Sequence, residues 1–370
     1  MPEGLTAGQL ALALRDPQGA RPAASDWGAL LVDAEAHGVV PLLAGAAATA
    51  PWDSRWISML RSAHAAHAAA SIIREKELRT VLEALAAHGV RPILFKGAHL
   101  AFASYRSPDR RPHVDVDMLL ERDDRQALDR CLRDRGYELV PQVTGEVAFG
   151  QQQYWKVDAS GLGHTIDVHW RIANPLAFSD RITYADLDRD AMPIPRLGAH
   201  ARGPSLPLAL LIACLHRTAH HGNSERLIWI YDIHHLASAL DDSGWDSLVE
   251  LASRRGLSAV LAAGLHRAAE YFHTNVPAGV TERLHADRTV DDDVLEFLEG
   301  PPPRFEVAKS DWRRIHHWRD RARFLREHLF PPANYIAHRY GTTSRVALPF
   351  LYVRRIVTGA GRWALEWLRN

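Results

Sequence analysis

The sequence predicts an α+β protein: a small mixed β-sheet core flanked by N-terminal and C-terminal helical regions. Three observations predict it. Residues from about 8 to 88 are rich in Ala and Leu, and Leu78, Val81, Leu82 and Leu85 recur at i, i+3, i+4 and i+7, the spacing of one helix face. Residues from about 90 to 175 switch to short alternating runs, the period of half-buried strands. From about 205 the apolar spacing becomes helical again, over 206–220 and 227–240. The resulting organisation is a helical region at 1–88, the mixed core at 89–200, a helical subdomain at 201–272, loops or a linker at 273–305 and basic helices at 306–370.

Each element of the core follows from local chemistry. Gly89 closes the first helical run, as glycine does past a helix C-terminus. Residues 91–96 (RPILFK) form a strand ending at Gly97, and a short helix follows. After a loop rich in Arg and Pro comes a second strand. There Asp115 and Asp117 share one face, with Val114, Val116 and Met118 on the other. Asp123 or Asp124 caps the next helix, which closes at Gly136. Residues 137–143 and 146–157 read as an antiparallel pair. Residues 164–172 (HTIDVHWRI) then alternate, placing Thr165, Asp167, His169 and Arg171 opposite Ile166, Val168, Trp170 and Ile172. The segments PAG, DDD and GPPP mark 273–305 as loops or a linker.

Composition narrows the function classes. With 370 residues, 47% hydrophobic and 24% charged, the chain can bury a large core. The formal net charge is zero, which argues against a nucleic-acid binder over its whole surface. The charge is uneven: residues 301–370 hold 14 Lys/Arg and 5 Asp/Glu, a net of +9, so the first 300 residues sum to −9. Such a tail suits phosphate, nucleic acid, an acidic partner or a membrane surface; the plainer reading is a solvated helical face docked on an acidic domain. Cys131 and Cys214 stand far apart in apolar helical patterns, as buried free thiols. The N-terminus has neither the basic start nor the apolar stretch of a signal peptide. No run of 18 apolar residues occurs, and Arg354 and Arg355 interrupt the nearest approach, so no membrane span and a cytoplasmic location are expected.

The chemistry centres on the acidic strand. Two adjacent carboxylates repel unless something neutralises them, and a divalent metal is the usual answer. Mg²⁺ favours carboxylates together with substrate phosphates. Asp115 and Asp117 would therefore ligate metal, and Asp167, on the polar face of a later strand, is the third carboxylate. Gly97 at a strand-to-helix turn lets backbone N–H groups approach phosphate oxygens. Lys96 adds a point charge there and Arg111 a forked one. His169, two residues beyond Asp167, points the same way and either lines the site or makes a structural hydrogen bond.

Lys96-Gly97, Tyr105, Arg111, Asp115-Val116-Asp117, Gly136-Tyr137 and Ile166-Asp167-Val168-His169-Trp170 resemble the polymerase-β-type nucleotidyltransferase superfamily. They are closest to its bacterial branch with a KG turn, an Arg four residues before a DxD, and an IDxHW strand. His216, His220, Arg226, Leu227, Trp229 and Asp232 match the helical half of that branch. Two departures stand out: Gly97-Ala98 replaces the usual Gly-Ser, and the gap to Asp115 is longer. The resemblance implies a nucleotidyltransferase core and a two-metal reaction using Mg²⁺ or Mn²⁺. An NTP, ATP among the choices, would yield its NMP to a hydroxyl or similar acceptor and release pyrophosphate. The zero net charge and the absence of a broad basic stripe in residues 1–300 favour a small-molecule or peptide acceptor. A toxin-like enzyme acting on tRNA is the alternative, supported by the basic tail. A catalytically inactive nucleotide sensor or scaffold is the third reading, disfavoured by the intact carboxylates. The histidines around 216–235 contain no HExxH motif, and Trp155, Trp170 and Trp229 are expected to pack in cores rather than stack on a base.

Overall fold

A computed structural model describes residues 3–22, 26–287, 289 and 291–367. Four helices open the chain: α1 (Glu3–Arg15), α2 (Trp27–Ala36), α3 (Val40–Ala46) and α4 (Ser54–Ala87). Asp26 and Asp53 start α2 and α4 by accepting the backbone N–H groups of the second and third residues of each helix. α4 is long because it serves two cores. Its Trp56 and Leu60 join the large helical core, while Leu78, Val81, Leu82 and Leu85 pack beneath the sheet. Gly89, at φ +76°, then turns the chain where a side chain would be strained.

The sheet region contains β1 (Ile93–Phe95), α5 (Lys96–Ala103), β2 (Asp115–Leu119), α6 (Arg125–Asp134), β3 (Glu138–Leu139), β4 (Gln151–Val157) and β5 (Gly163–His169). The strand order is β1-β2-β5-β4-β3; β2 and β5 run parallel and every other pair is antiparallel. Val116, Met118, Ile166 and Val168 form one core with α4 and with Leu128 and Leu132 of α6. Alternation then leaves Asp115, Asp117 and Asp167 on the opposite face.

The helical half follows: α7 (Leu176–Ser179), α8 (Tyr184–Arg189), a ribbon of β6 (Met192–Pro193) and β7 (Arg202–Gly203), then α9 (Leu206–His221), α10 (Leu227–Ala237), α11 (Asp242–Arg254) and α12 (Ser258–Phe272). The last six helices are α13 (Ala278–Ala286), α14 (Asp292–Leu298), α15 (Arg304–Arg314), α16 (Trp318–Leu329), α17 (Ala333–Tyr340) and α18 (Leu348–Trp367). The basic region is anchored by carboxylates. Glu327 of α16 accepts the backbone N–H groups of Glu146, Val147 and Ala148 at 2.7, 3.1 and 2.8 Å. Asp311 of α15 accepts that of Leu176 at 2.7 Å.

The mixed α+β architecture agrees with the sequence reading; several details differ. The stretch 273–305 is not loop alone, because α13 and α14 bury Val280, Leu284, Val294 and Phe297 in the helical core. The pair expected at 137–143 and 146–157 shrinks to β3 and β4, whose register is only Glu138 with Trp155 and Leu139 with Tyr154. Val114 is 70% exposed, since β2 begins one residue later. Asp124 precedes α6 but makes no side-chain cap, because a 3₁₀ turn over Arg122–Asp124 leads into the helix.

Candidate functional site

Parallel pairing of β2 with β5 sets Asp115 beside Thr165 and Asp117 beside Asp167. Antiparallel pairing of β1 with β2 sets Phe95 beside Asp117, so Lys96 emerges next to the same carboxylate. Three separate stretches of sequence thus converge at one point of the sheet.

Lys96 is the first residue of α5 rather than the last of the strand, and its φ of +57° is left-handed. That region costs a non-glycine residue about 1–2 kcal/mol. The turn aims the ammonium at Asp117, with Nζ 2.7 Å from Oδ1. His169 Nε2 lies 3.0 Å from the same oxygen, and its ring sits edge-on to Phe95. Burial alone would raise the Asp117 carboxyl, yet Lys96 and His169 hold it far below the usual carboxylate range. An ionised Asp117 accepts, so His169 Nε2 carries the proton and donates.

The other carboxylates shift the opposite way. Asp167 is pushed up to about 6 by burial and by the charges of Asp117 and Asp115, against a 2.8 Å hydrogen bond from Gln153 Nε2. Asp115 is raised by burial and by Asp117. Asp117, Asp167 and His169 bring ligand atoms within 4.8 Å of one another, as a divalent cation would require. Asp115 was expected in that set; it lines the same pocket but lies outside this closest trio.

The pocket above them has a volume of about 450 Å³ and lies between the sheet and α9 and α10, within the range of small-molecule sites. Gly97 lies on its wall, where an added Cβ would come 3.4 Å from Arg111 Nη1 and from His113 Cβ. Arg111 also lines it, and each of its three nitrogens makes a hydrogen bond within the protein. Nε and Nη2 reach Asp232 at 2.8 and 2.7 Å, and Nη1 donates to the Pro112 carbonyl at 2.6 Å. Tyr105 O–H donates to Asp232 at 2.7 Å. Sequence reasoning named Tyr105, Arg111 and Asp232 without seeing that they form one buried knot joining the sheet region to α10. An acid 121 residues away from its Arg offers no local signal.

On the α9–α10 wall His216, His220, His221 and Trp229 form an aromatic cluster whose histidines are neutral near neutral pH. His216 and His221 meet with Nε2 atoms 3.1 Å apart, and His221 stacks on Trp229 at 3.8 Å. Burial followed by the charge of Lys96 pulls His216 well down and takes His220 to about 3 and His221 to about 4. Trp229 therefore faces the pocket, whereas Trp155 and Trp170 are not among its lining residues. His99 and His113 also line the pocket and were missed by the sequence reading. Both are buried, burial holds them at about 4, and His99 Nδ1 and His113 Nε2 have no hydrogen-bond partner among the described residues. Their positions beside Gly97 and Asp115 were the available signal.

A family model described as "Uncharacterised nucleotidyltransferase" matches residues 23–273. The match takes in every pocket residue named above and ends before α13. No curated protein matches the chain.

Proposed function

The chain belongs to this uncharacterised nucleotidyltransferase family, and on that premise we propose that it moves a nucleoside monophosphate from a nucleoside triphosphate to a hydroxyl or similar acceptor on a small molecule or peptide. The observation that carries this reading is the β2–β5 register, with Asp117 beside Asp167 on the floor of a pocket that Lys96 also lines. Two carboxylates with a third close by fit Mg²⁺ or Mn²⁺, which favour hard oxygen ligands. Asp117 and Asp167 would hold the ions with Asp115. A divalent cation bound there supplies charge withdrawal from the triphosphate and a more acidic acceptor hydroxyl.

The remaining work falls to the chain itself. The acceptor oxygen attacks the α-phosphorus, the bond to the bridging oxygen breaks, and pyrophosphate leaves with that electron pair. Asp167 receives the acceptor proton. Lys96 and the N-terminal N–H groups of α5 face the phosphate charge. His169 orients Asp117, in the way an outer hydrogen bond fixes a ligand. Arg111, tied to Asp232, fixes the wall and keeps one N–H on each Nη for a phosphate oxygen. The neutral histidines of α9 suit an uncharged hydroxyl acceptor.

The test uses each of the four α-labelled nucleoside triphosphates with Mg²⁺ or Mn²⁺, a cell extract as acceptor pool, and Asp115→Asn as control. Label transferred by the wild type and lost in the variant supports transfer, and the labelled fraction identifies the acceptor class. Label on tRNA would replace the small acceptor. Nucleotide binding without label or pyrophosphate would favour an inactive sensor and refute the reading.

A further inference from the structure

The outer face of α18 carries an apolar stripe that nothing among the described residues covers. Val346, in the turn ahead of the helix, and Phe350, Val353 and Val357 are 80, 75, 60 and 64% exposed. Their spacing of four, three and four residues puts them along one side of a helix. The opposite side is already engaged: Tyr352 O–H donates to the Pro331 carbonyl at 2.6 Å, and Arg355 Nη2 to that of His328 at 3.4 Å. Phe330, itself exposed, sits against Tyr352 with ring centroids 6.0 Å apart and adds apolar surface beside the helix.

Charge selects the occupant. Residues 328–365 contain five Arg and neither Asp nor Glu. Arg345 and Arg354, both exposed, accompany the stripe. A second copy of the chain packed α18 against α18 would bring arginine against arginine, with only Glu366 near the helix end to answer it. A nucleic acid would satisfy the arginines and could stack on Phe350 or Phe330, but it would give the three valines nothing to enter. An anionic phospholipid surface answers both features. Valine and phenylalanine enter the acyl boundary while arginine heads stay with the phosphates. We propose that α18 is a peripheral membrane-docking helix that lies along anionic lipid, its Val346–Phe350–Val353–Val357 stripe in the headgroup–acyl boundary. This contact lies on the interface without spanning it, in keeping with no single described helix being long and apolar enough to cross a membrane.

The full chain is tested by co-sedimentation with vesicles of phosphatidylcholine alone or mixed with phosphatidylglycerol. The wild type, Phe350→Asp/Val353→Asp and Arg345→Glu/Arg354→Glu are compared, with circular dichroism confirming that each is folded. The wild type is expected to pellet with the anionic vesicles and not with phosphatidylcholine, and each double variant to bind at least ~10-fold more weakly. All four positions are exposed, so the substitutions leave the core intact. Absence of wild-type binding, equal binding to both vesicle types, or undiminished binding by the Asp variant would overturn the proposal. So would a wild-type dimer in sedimentation velocity that the Asp variant abolishes, since a second copy would then cover the stripe.

Discussion

At the residue scale the site is held by two buried ionic contacts with different duties. Lys96 faces Asp117 from a left-handed backbone conformation. Lys96→Ala and Lys96→Gly both remove the ammonium, and only glycine accepts that φ without cost. Lys96→Gly should therefore be about 1 kcal/mol more stable than Lys96→Ala in urea unfolding, while both lose activity. Arg111 and Asp232 are both buried and bonded through two nitrogens. Asp232→Ala strands a buried guanidinium and frees the Tyr105 hydroxyl, which should cost about 3–5 kcal/mol by the same measurement. Asp115, Asp117 and Asp167 were legible in the sequence because strand alternation put them on one face, and His169 because it continues that alternation. Asp232 as the partner of Arg111 was not legible as a contact, because tertiary packing alone brings α10 to the sheet.

At the element scale the segments that were hardest to read are those that dock by a few polar contacts. Glu327 holds α16 to residues 146–148 through three backbone N–H groups. Glu327→Ala leaves buried donors unpaired and should cost about 1.5–3 kcal/mol, with faster amide exchange at Val147 and Ala148. Asp311 docks α15 on Leu176 and supplies a pH test. Burial pushes its carboxyl up to about 6, against pulls from the Leu176 N–H, Arg171 and Arg314. A carboxyl raised on folding contributes stability that is complete below its ordinary value of 3.8 and is lost as pH rises through about 6. Asp311→Asn, which can still accept from Leu176, should match the wild type near pH 4. Near pH 8 it should be more stable by about 1–3 kcal/mol, read from unfolding at both pH values. The helices at 278–286 and 292–298 were hidden by turn-forming PAG and DDD clusters, which here begin helices instead of replacing them: Pro277 and Asp291 are the N-caps.

At the scale of the whole molecule, one core lies beneath the sheet and a larger one in the helical half; α4, β1, β2 and α5 contribute to both, and the pocket lies between the sheet and α9 and α10. The class of fold was readable because helical and strand periods occupy separate stretches of chain. The strand order was not, since the β2–β5 neighbour relation skips β3 and β4, and nothing local records a pairing across some 50 residues. That pairing is also the centre of the functional account. The most direct test is pyrophosphate release from the preferred nucleotide, with saturating Mg²⁺ and acceptor, by the wild type and by Asp167→Asn. If Asp167 works with Asp117 at one metal-dependent centre, turnover falls by at least ~100-fold while the thermal unfolding midpoint stays or rises, because a buried carboxyl near other acids has been neutralised. Undiminished turnover in Asp167→Asn would contradict the account and place the chemistry elsewhere in the chain.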